Sequence, residues 1–202
     1  LVYPGDLEGA VRLAWVTARP THDTQIAASG AGAIAAGVAQ ALTVGADVYS
    51  VTQACLWGAR FGEEVGAKEG RLVAGPSVPR RIEIAIEEAL RSRDLEDALR
   101  RIEASVGNSV MTVESVPAAV GIFVAAGGDP LETVVGGTNI GNDSDTIAAM
   151  AGSLSGALRG IAAVPRDMFE TVKSVNSEDI IGLAEGLTEI AWQRTEGDRV
   201  IG

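Results

Sequence analysis

The chemistry-bearing residues of this chain concentrate between Thr138 and Thr146, which reads Thr-Asn-Ile-Gly-Asn-Asp-Ser-Asp-Thr. Two carboxylates, Asp143 and Asp145, alternate there with the hydroxyls of Ser144 and Thr146. Carboxylate and hydroxyl oxygens gathered at one helix start are hard donors, the type that Mg²⁺ and Mn²⁺ take. Gly141 allows the tight backbone path such a turn needs. A helix cap accounts for one acid at this place. It does not account for two in an uncharged neighbourhood, whose nearest upstream charge is Glu132. The rest of the chain offers few alternatives. His22 is the single histidine, which excludes any mechanism that needs two. Cys55 is the single cysteine, which excludes an intramolecular disulfide and a Cys-rich zinc site.

The elements that must position this segment read as helices. Asp6 is placed to cap a first helix through about Ala18, which Pro20 ends. A second is expected after Thr21-His22-Asp23 and on to Gly45, and a third from Asp47 to Val65, closed by a Gly66–Gly75 loop. A fourth starts at Ser77 or Pro79, with Ile82, Ala85, Ile86, Ala89 and Leu90 forming one apolar stripe. Asp94 with Asp97 resembles a capping box and opens a fifth. A sixth runs from near Glu114 to Ala126, and Asp129-Pro130 starts the next. The following helix begins at Asp145-Thr146 and ends near Gly160; Arg166 to Val175 and Ser177 to Arg194 finish the chain. No strict period-two alternation bounded by hairpin turns occurs, so the fold class is all-α, with about ten helices in a single domain over residues 1–202. Gly152, Gly156 and Gly160 recur every four residues, and the expectation is a central helix in close contact with its neighbours.

Composition narrows the partners. The net charge is −11, with 27 acids against 16 bases, and no Lys/Arg surplus exists to bind a phosphate backbone. No nucleic-acid binding is therefore expected from the charge. The uncharged stretch Thr24–Ala46 is long enough for a membrane span but rich in Ala, Gly, Ser and Thr, and reads as a buried helix of a soluble, cytoplasmic protein. Trp15, Trp57 and Trp192 read as packing residues and Cys55 as an inert core thiol; the Arg80-Arg81 and Arg100-Arg101 pairs read as facing water.

The run from Gly141 to Gly160, Gly-Asn-Asp-Ser-Asp-Thr-Ile-Ala-Ala-Met-Ala-Gly-Ser-Leu-Ser-Gly-Ala-Leu-Arg-Gly, resembles the C-terminal metal motif of the ADP-ribosylglycohydrolase family. That pattern is Gly-Gly-Asp-x-Asp-Thr before a small-residue helix; here Asn142 stands at the second glycine and Ser144 at the variable position. Ser115-Val-Pro-Ala-Ala-Val with Gly127-Gly-Asp-Pro looks like the family's preceding helix, and Thr21-His-Asp looks like its Ser/Thr-His motif. The resemblance implies a compact all-α fold and a centre of two divalent cations, Mg²⁺ or Mn²⁺. It implies hydrolysis of the glycosidic bond at C1″ of ADP-ribose, on an ADP-ribosylated protein or an ADP-ribose-containing small molecule. Carried over by position, Asp143, Asp145 and Thr146 would ligate metal, with Asp143 and Asp145 central to catalysis. His22, Asn139, Gly141, Asn142 and Ser144 would line the ligand cleft. By the resemblance, the family's N-terminal metal region, with its Gly-Asp-x-x-Gly and Thr/Ser-Asp-Asp-Thr motifs, is expected to be missing from this chain. This leads to the expectation of half a metal shell, an uncovered apolar face, and an N-terminal partner polypeptide or a homo-oligomer. The alternative reading is a non-catalytic member with a structural or binding role.

Overall fold

A computed structural model describes residues 1–176 and 179–201, with the backbone alone for 196–201. Ten α-helices occur among the described residues, and the only β-type pairing there is an isolated bridge between Thr24 and Arg71. The helices are α1 (Leu7–Ala18), α2 (Gln25–Ala41), α3 (Val48–Glu69), α4 (Val78–Arg91), α5 (Leu95–Val106), α6 (Thr112–Ala125), α7 (Pro130–Asn139), α8 (Ser144–Arg159), α9 (Arg166–Val175) and α10 (Ile180–Ile201). The fold class is all-α, as the periodicity implies. The expected start of the last helix at Ser177 lies outside the described residues.

Side-chain caps fix most helix starts. Asp6, Thr24, Asp47, Ser77, Asp94 and Asp129 each accept a hydrogen bond from an amide three residues on. The pair Asp94 and Asp97 is only half a capping box, because the Asp97 carboxylate accepts from the Arg93 amide instead. α2 stops at Ala41, ahead of the expected Gly45, where Gly45 takes a positive φ of 81° in the following turn. α3 runs through Gly66 to Glu69, past the expected stop at Val65.

The reason for that extension is the α2–α3 contact. A Cβ on Gly58 would lie 2.3 Å from the Gly32 carbonyl oxygen, and one on Gly66 would lie 2.6 Å from Ala28 Cβ. Glycine therefore serves the close approach of two antiparallel backbones, and that packing offsets the roughly 1 kcal/mol each mid-helix glycine costs. Ser29 Oγ donates to the Ala59 carbonyl across the same seam at 2.8 Å. The small-residue seam expected on α8 is there only in part: Ala148 backs closely onto Gly137 of α7 and a Cβ on Gly152 would lie 3.0 Å from Val134. A Cβ on Gly156 would meet nothing within 4 Å, and α8 buries Ile147, Ala148, Ala151, Leu154 and Ser155.

Two large apolar clusters, with a smaller one of Trp15, Ala28 and Val65, form the core among the described residues. One gathers Val51, Cys55, Ile82, Val120, Phe123 and Leu154; the other gathers Ala85, Ile102, Ile122, Ile140, Ile147 and Ala151. Burial pushes the Cys55 thiol up to about 12, which makes it inert. Trp15 is buried and donates through Nε1 to Glu69 at 2.9 Å. Trp192, by contrast, is 65% exposed, so it is not the packing residue the sequence suggests. Leu13 and Val16 on α1, and Met168, Val172 and Val175 on α9, are also exposed. No helix among the described residues is long and apolar enough to cross a membrane.

Pro117 inside α6 leaves the Val113 carbonyl without its helical donor. Arg81 on α4 supplies one. Its Nη1 donates to Val113 O at 3.2 Å and to Val106 O, at the end of α5, at 2.7 Å. Arg81 is thus an internal strut and not a surface charge. Arg80 and Arg100 do face water, paired with Glu83 and Glu96, while the half-buried Arg101 pairs with Glu88.

Candidate functional site

Close contacts set the direction of each helix. Gly32 meets Gly58 and Gly66 meets Gln25, so α2 and α3 are antiparallel; Gly137 meets Ala148 and Gly152 meets Val134, so α7 and α8 are antiparallel. Gly30 meets Thr112 at the start of α6, while Gly128, just past the end of α6, meets Val48 at the start of α3 and Leu158 near the end of α8, which sets α6 and α8 running with α2. Arg81 reaches the end of α5 and the start of α6. The connections α1–α2, α3–α4, α5–α6 and α7–α8 consequently share one end of the bundle, and the N-termini of α2, α4, α6 and α8 face that end. Aligned peptide dipoles make such an end favourable for carboxylates and anions.

The α7–α8 connection carries the carboxylates. Gly141 and Asn142 have positive φ values of 83° and 52°, a tight left-handed turn that glycine and asparagine tolerate best. Asp143 stands at the N-cap of α8, yet its side chain makes no capping hydrogen bond. Its Oδ1 instead accepts from the Thr146 hydroxyl at 2.9 Å. Asp145 is exposed in the first turn. Asp143, Asp145 and Thr146 thus stand together at the start of α8, Asp143 and Thr146 in contact, with Asn142 and the half-buried Ser144 beside them.

The other candidates are placed differently. His22 is exposed on the α1–α2 connection, with Nδ1 2.8 Å from the Thr21 hydroxyl and its amide donating to Ala18 O at 2.9 Å. It shares the end of the bundle with the carboxylates and makes no hydrogen bond to the 141–146 turn. Asn139 is exposed at the close of α7 and lines, with Leu99, Arg100, Glu103 and Ile140, a groove of about 660 Å³ between α5 and α7. Gln25 pins the α3–α4 connection to the start of α2, its side chain exchanging hydrogen bonds with Val73 O at 2.6 Å and Val73 N at 3.0 Å.

One residue went unread in the sequence. Asn108, on the α5–α6 connection, donates from Nδ2 to Ile140 O at 2.9 Å and accepts from the Asp143 amide at 3.1 Å. Its Oδ1 lies 3.4 Å from Asn142 Nδ2. The contact spans 32 residues, and no local pattern announces it.

The donor set suits a hard divalent cation in kind: two carboxylates and a hydroxyl, all oxygen. It is part of a shell in number. Among the described residues no group of three or more His, Cys, Asp and Glu side chains is clustered to hold a metal ion.

Comparison with known proteins agrees over nearly the whole length. The family model described as ADP-ribosylglycohydrolase matches residues 1–197. The expectation of a missing N-terminal motif is not borne out. An uncharacterized protein of Escherichia coli, YegU, is 31% identical over 176 residues, covering 87% of this chain and 51% of that protein. An uncharacterized protein of Archaeoglobus fulgidus is 30% identical over 182 residues, 86% of this chain and 50% of its own length. Human ADP-ribosylhydrolase ARH3 is 29% identical over 90 residues, 40% of this chain and 25% of that protein. The chain spans about half the length of the first two relatives.

Proposed function

Because the chain belongs to the ADP-ribosylglycohydrolase family, we propose that it hydrolyses the glycosidic bond at C1″ of an ADP-ribosyl adduct. Water adds to C1″, the bond to the acceptor breaks, and ADP-ribose and the protonated acceptor leave. The observation that carries this reading is the Asp143 carboxylate: it stands at a helix N-cap, makes no capping bond, and is turned to the Thr146 hydroxyl. A cap would spend its oxygens on backbone amides. Here both stay clear of the helix amides, and only Oδ1 is engaged, by the Thr146 hydroxyl.

Asp143, Asp145 and Thr146 would hold the divalent cations, Mg²⁺ or Mn²⁺, and the oxygen donors suit either. When bound, such cations supply charge that holds sugar hydroxyls and polarises water. The protein's own part is position. The rigid α7–α8 turn fixes the direction of both carboxylates. Their negative charge favours the positive character that C1″ gains as the bond breaks. The converging N-termini of α2, α6 and α8 offset the negative charge of a bound pyrophosphate. His22, Asn142 and Ser144 stand at this end to contact the nucleotide sugar, and Asn139 borders it along the α5–α7 groove. The adduct is an ADP-ribosylated protein or a small ADP-ribosyl compound.

The test pairs binding with turnover. Mn²⁺ binding to the full chain is followed by electron paramagnetic resonance, and release of ADP-ribose from ADP-ribosylated protein and from ADP-ribosylated small molecules is followed by chromatography. Asp145→Asn should weaken Mn²⁺ binding by at least about 10-fold and lower turnover with it. Unchanged Mn²⁺ affinity in that variant would refute the ligand assignment. A chain that binds ADP-ribose without Mn²⁺ and without turnover would establish the non-catalytic reading instead.

A further inference from the structure

We infer that Asn108 is a positioning residue: it holds the Gly141–Asp143 turn and through it aims the carboxylates of the proposed cation site, an inference that rests on the hydrolase reading above. Consecutive left-handed residues at Gly141 and Asn142 form a turn that needs support from outside, since Asn142 carries a side chain at a φ of 52°. Asn108 supplies that support on both sides of it. Its Nδ2 binds the carbonyl before the turn, Ile140 O, at 2.9 Å, and its own carbonyl binds the amide after the turn, Asp143 N, at 3.1 Å. Its Oδ1 faces Asn142 Nδ2 within the turn at 3.4 Å. Both ends of the Asn108 side-chain amide, and its backbone carbonyl, are thereby engaged with the α7–α8 connection.

Asn108 is itself firmly seated. Gly107 has a φ of 93°, and a Cβ there would lie 2.4 Å from Glu114 Oε2, so only glycine fits. The Ser109 amide donates to Glu114 Oε2 at 3.1 Å, and the Met111 amide to Ser109 Oγ at 3.3 Å. Arg81 then joins the last carbonyl of α5 to an early carbonyl of α6, closing the connection at its base. A rigid α5–α6 connection therefore serves as the template for the α7–α8 turn. With the Asp143 amide engaged by Asn108, the Asp143 carboxylate is directed to Thr146 and the site rather than back onto the helix.

The variants Asn108→Ala and Asn108→Asp of the full chain test this. The first removes both side-chain bonds, and the second keeps the shape but loses the donor to Ile140 O. Two readouts are taken: hydrogen exchange of the Asn142 and Asp143 amides without metal, and Mn²⁺ affinity by electron paramagnetic resonance. The expected result is exchange at these amides faster by about fivefold and Mn²⁺ binding weaker by about 10-fold, with the Cys55 and Val120 amides unchanged. That last control separates local release from general destabilisation. Unchanged exchange at Asn142 and Asp143 overturns the inference, and so does unchanged Mn²⁺ affinity in a variant whose turn exchanges faster. If the unaltered chain takes no Mn²⁺ at all, the hydrolase reading is what fails, and accelerated exchange still upholds Asn108 as the holder of the turn.

Discussion

Replacing Arg81 by Met is expected to cost the fold about 2–3 kcal/mol, and returning an N–H to residue 117 is expected to recover part of that loss. The magnitude follows from the contacts. A hydrogen bond to a charged donor is worth about 1.5–3 kcal/mol. The 2.7 Å bond to Val106 O belongs near the top of that range and the 3.2 Å bond to Val113 O near the bottom. Both use one nitrogen, and the side chain is 25% exposed, so water replaces part of what is lost. The Glu114 partner at 3.8 Å adds less than about 1 kcal/mol. For a chain of this size the net loss corresponds to a fall in Tm of roughly 5–10 °C. The sharper question is why Arg81 is needed at all. Pro117 cannot donate to Val113 O, so Pro117→Ala supplies the missing helical bond. In that background Arg81→Met should cost about 1 kcal/mol less. Urea unfolding of the four chains in this double-mutant cycle, at constant m-value, measures the difference. An equal cost of Arg81→Met in both backgrounds would show that Arg81 does not serve the carbonyl that Pro117 orphans.

The neighbouring glutamate gives a prediction in pH. Hydrogen bonding from Ser109, first by its hydroxyl and then by its amide, with the Arg81 charge, outweighs burial and holds the Glu114 carboxyl below its ordinary 4.5. Its contribution to stability is therefore complete above pH 4.5 and lost as pH falls through the lower folded value. Glu114→Gln should flatten the stability curve in that acid window; curves that stay parallel would remove Glu114 as the cause. The glycines give a contrast in sign. Gly58→Ala forces a Cβ to 2.3 Å from the Gly32 carbonyl oxygen and should destabilise by about 2 kcal/mol or more. Gly156→Ala meets nothing within 4 Å and should stabilise by about 0.5–1 kcal/mol. Thermal melts of the two variants decide it, and a shift in the same direction would contradict the packing described.

Helix starts were legible in the sequence because a cap is a local event. Asp6, Asp47, Ser77 and Asp129 each bond to an amide three residues away, so residue type at one position carries the information. Helix ends and glycine roles were less legible, because they depend on what lies opposite. Gly66 reads as a stop, yet its missing Cβ makes room for Ala28 and the helix continues. Gly152 and Gly156 both read as parts of a contact seam, yet only Gly152 is closely faced, by Val134 at 3.0 Å from its would-be Cβ, and Gly156 faces open space. A glycine carries the same letter whether another backbone or solvent faces it, and only the partner distinguishes them.

The candidate site divides along the same line. Asp143, Asp145 and Thr146 are neighbours in sequence, and their shared place on the first turn of α8 follows from helix geometry. What aims them does not. The support comes from Asn108, 32 residues before Ile140, and Asn108 is set by Gly107, Ser109 and Glu114. Glu114 is in turn braced by Arg81 from a different helix. If this chain of contacts is what makes the turn rigid, loosening its far end must be felt at its near end. Arg81→Met should therefore speed exchange of the Asp143 amide, with a smaller effect than Asn108→Ala, because an ion pair and two hydrogen-bonded steps separate Arg81 from the turn and a single hydrogen-bonded step separates Asn108. An Asp143 amide that responds to Asn108→Ala and not at all to Arg81→Met would confine the support to Asn108 itself and leave Arg81 a strut of the core alone.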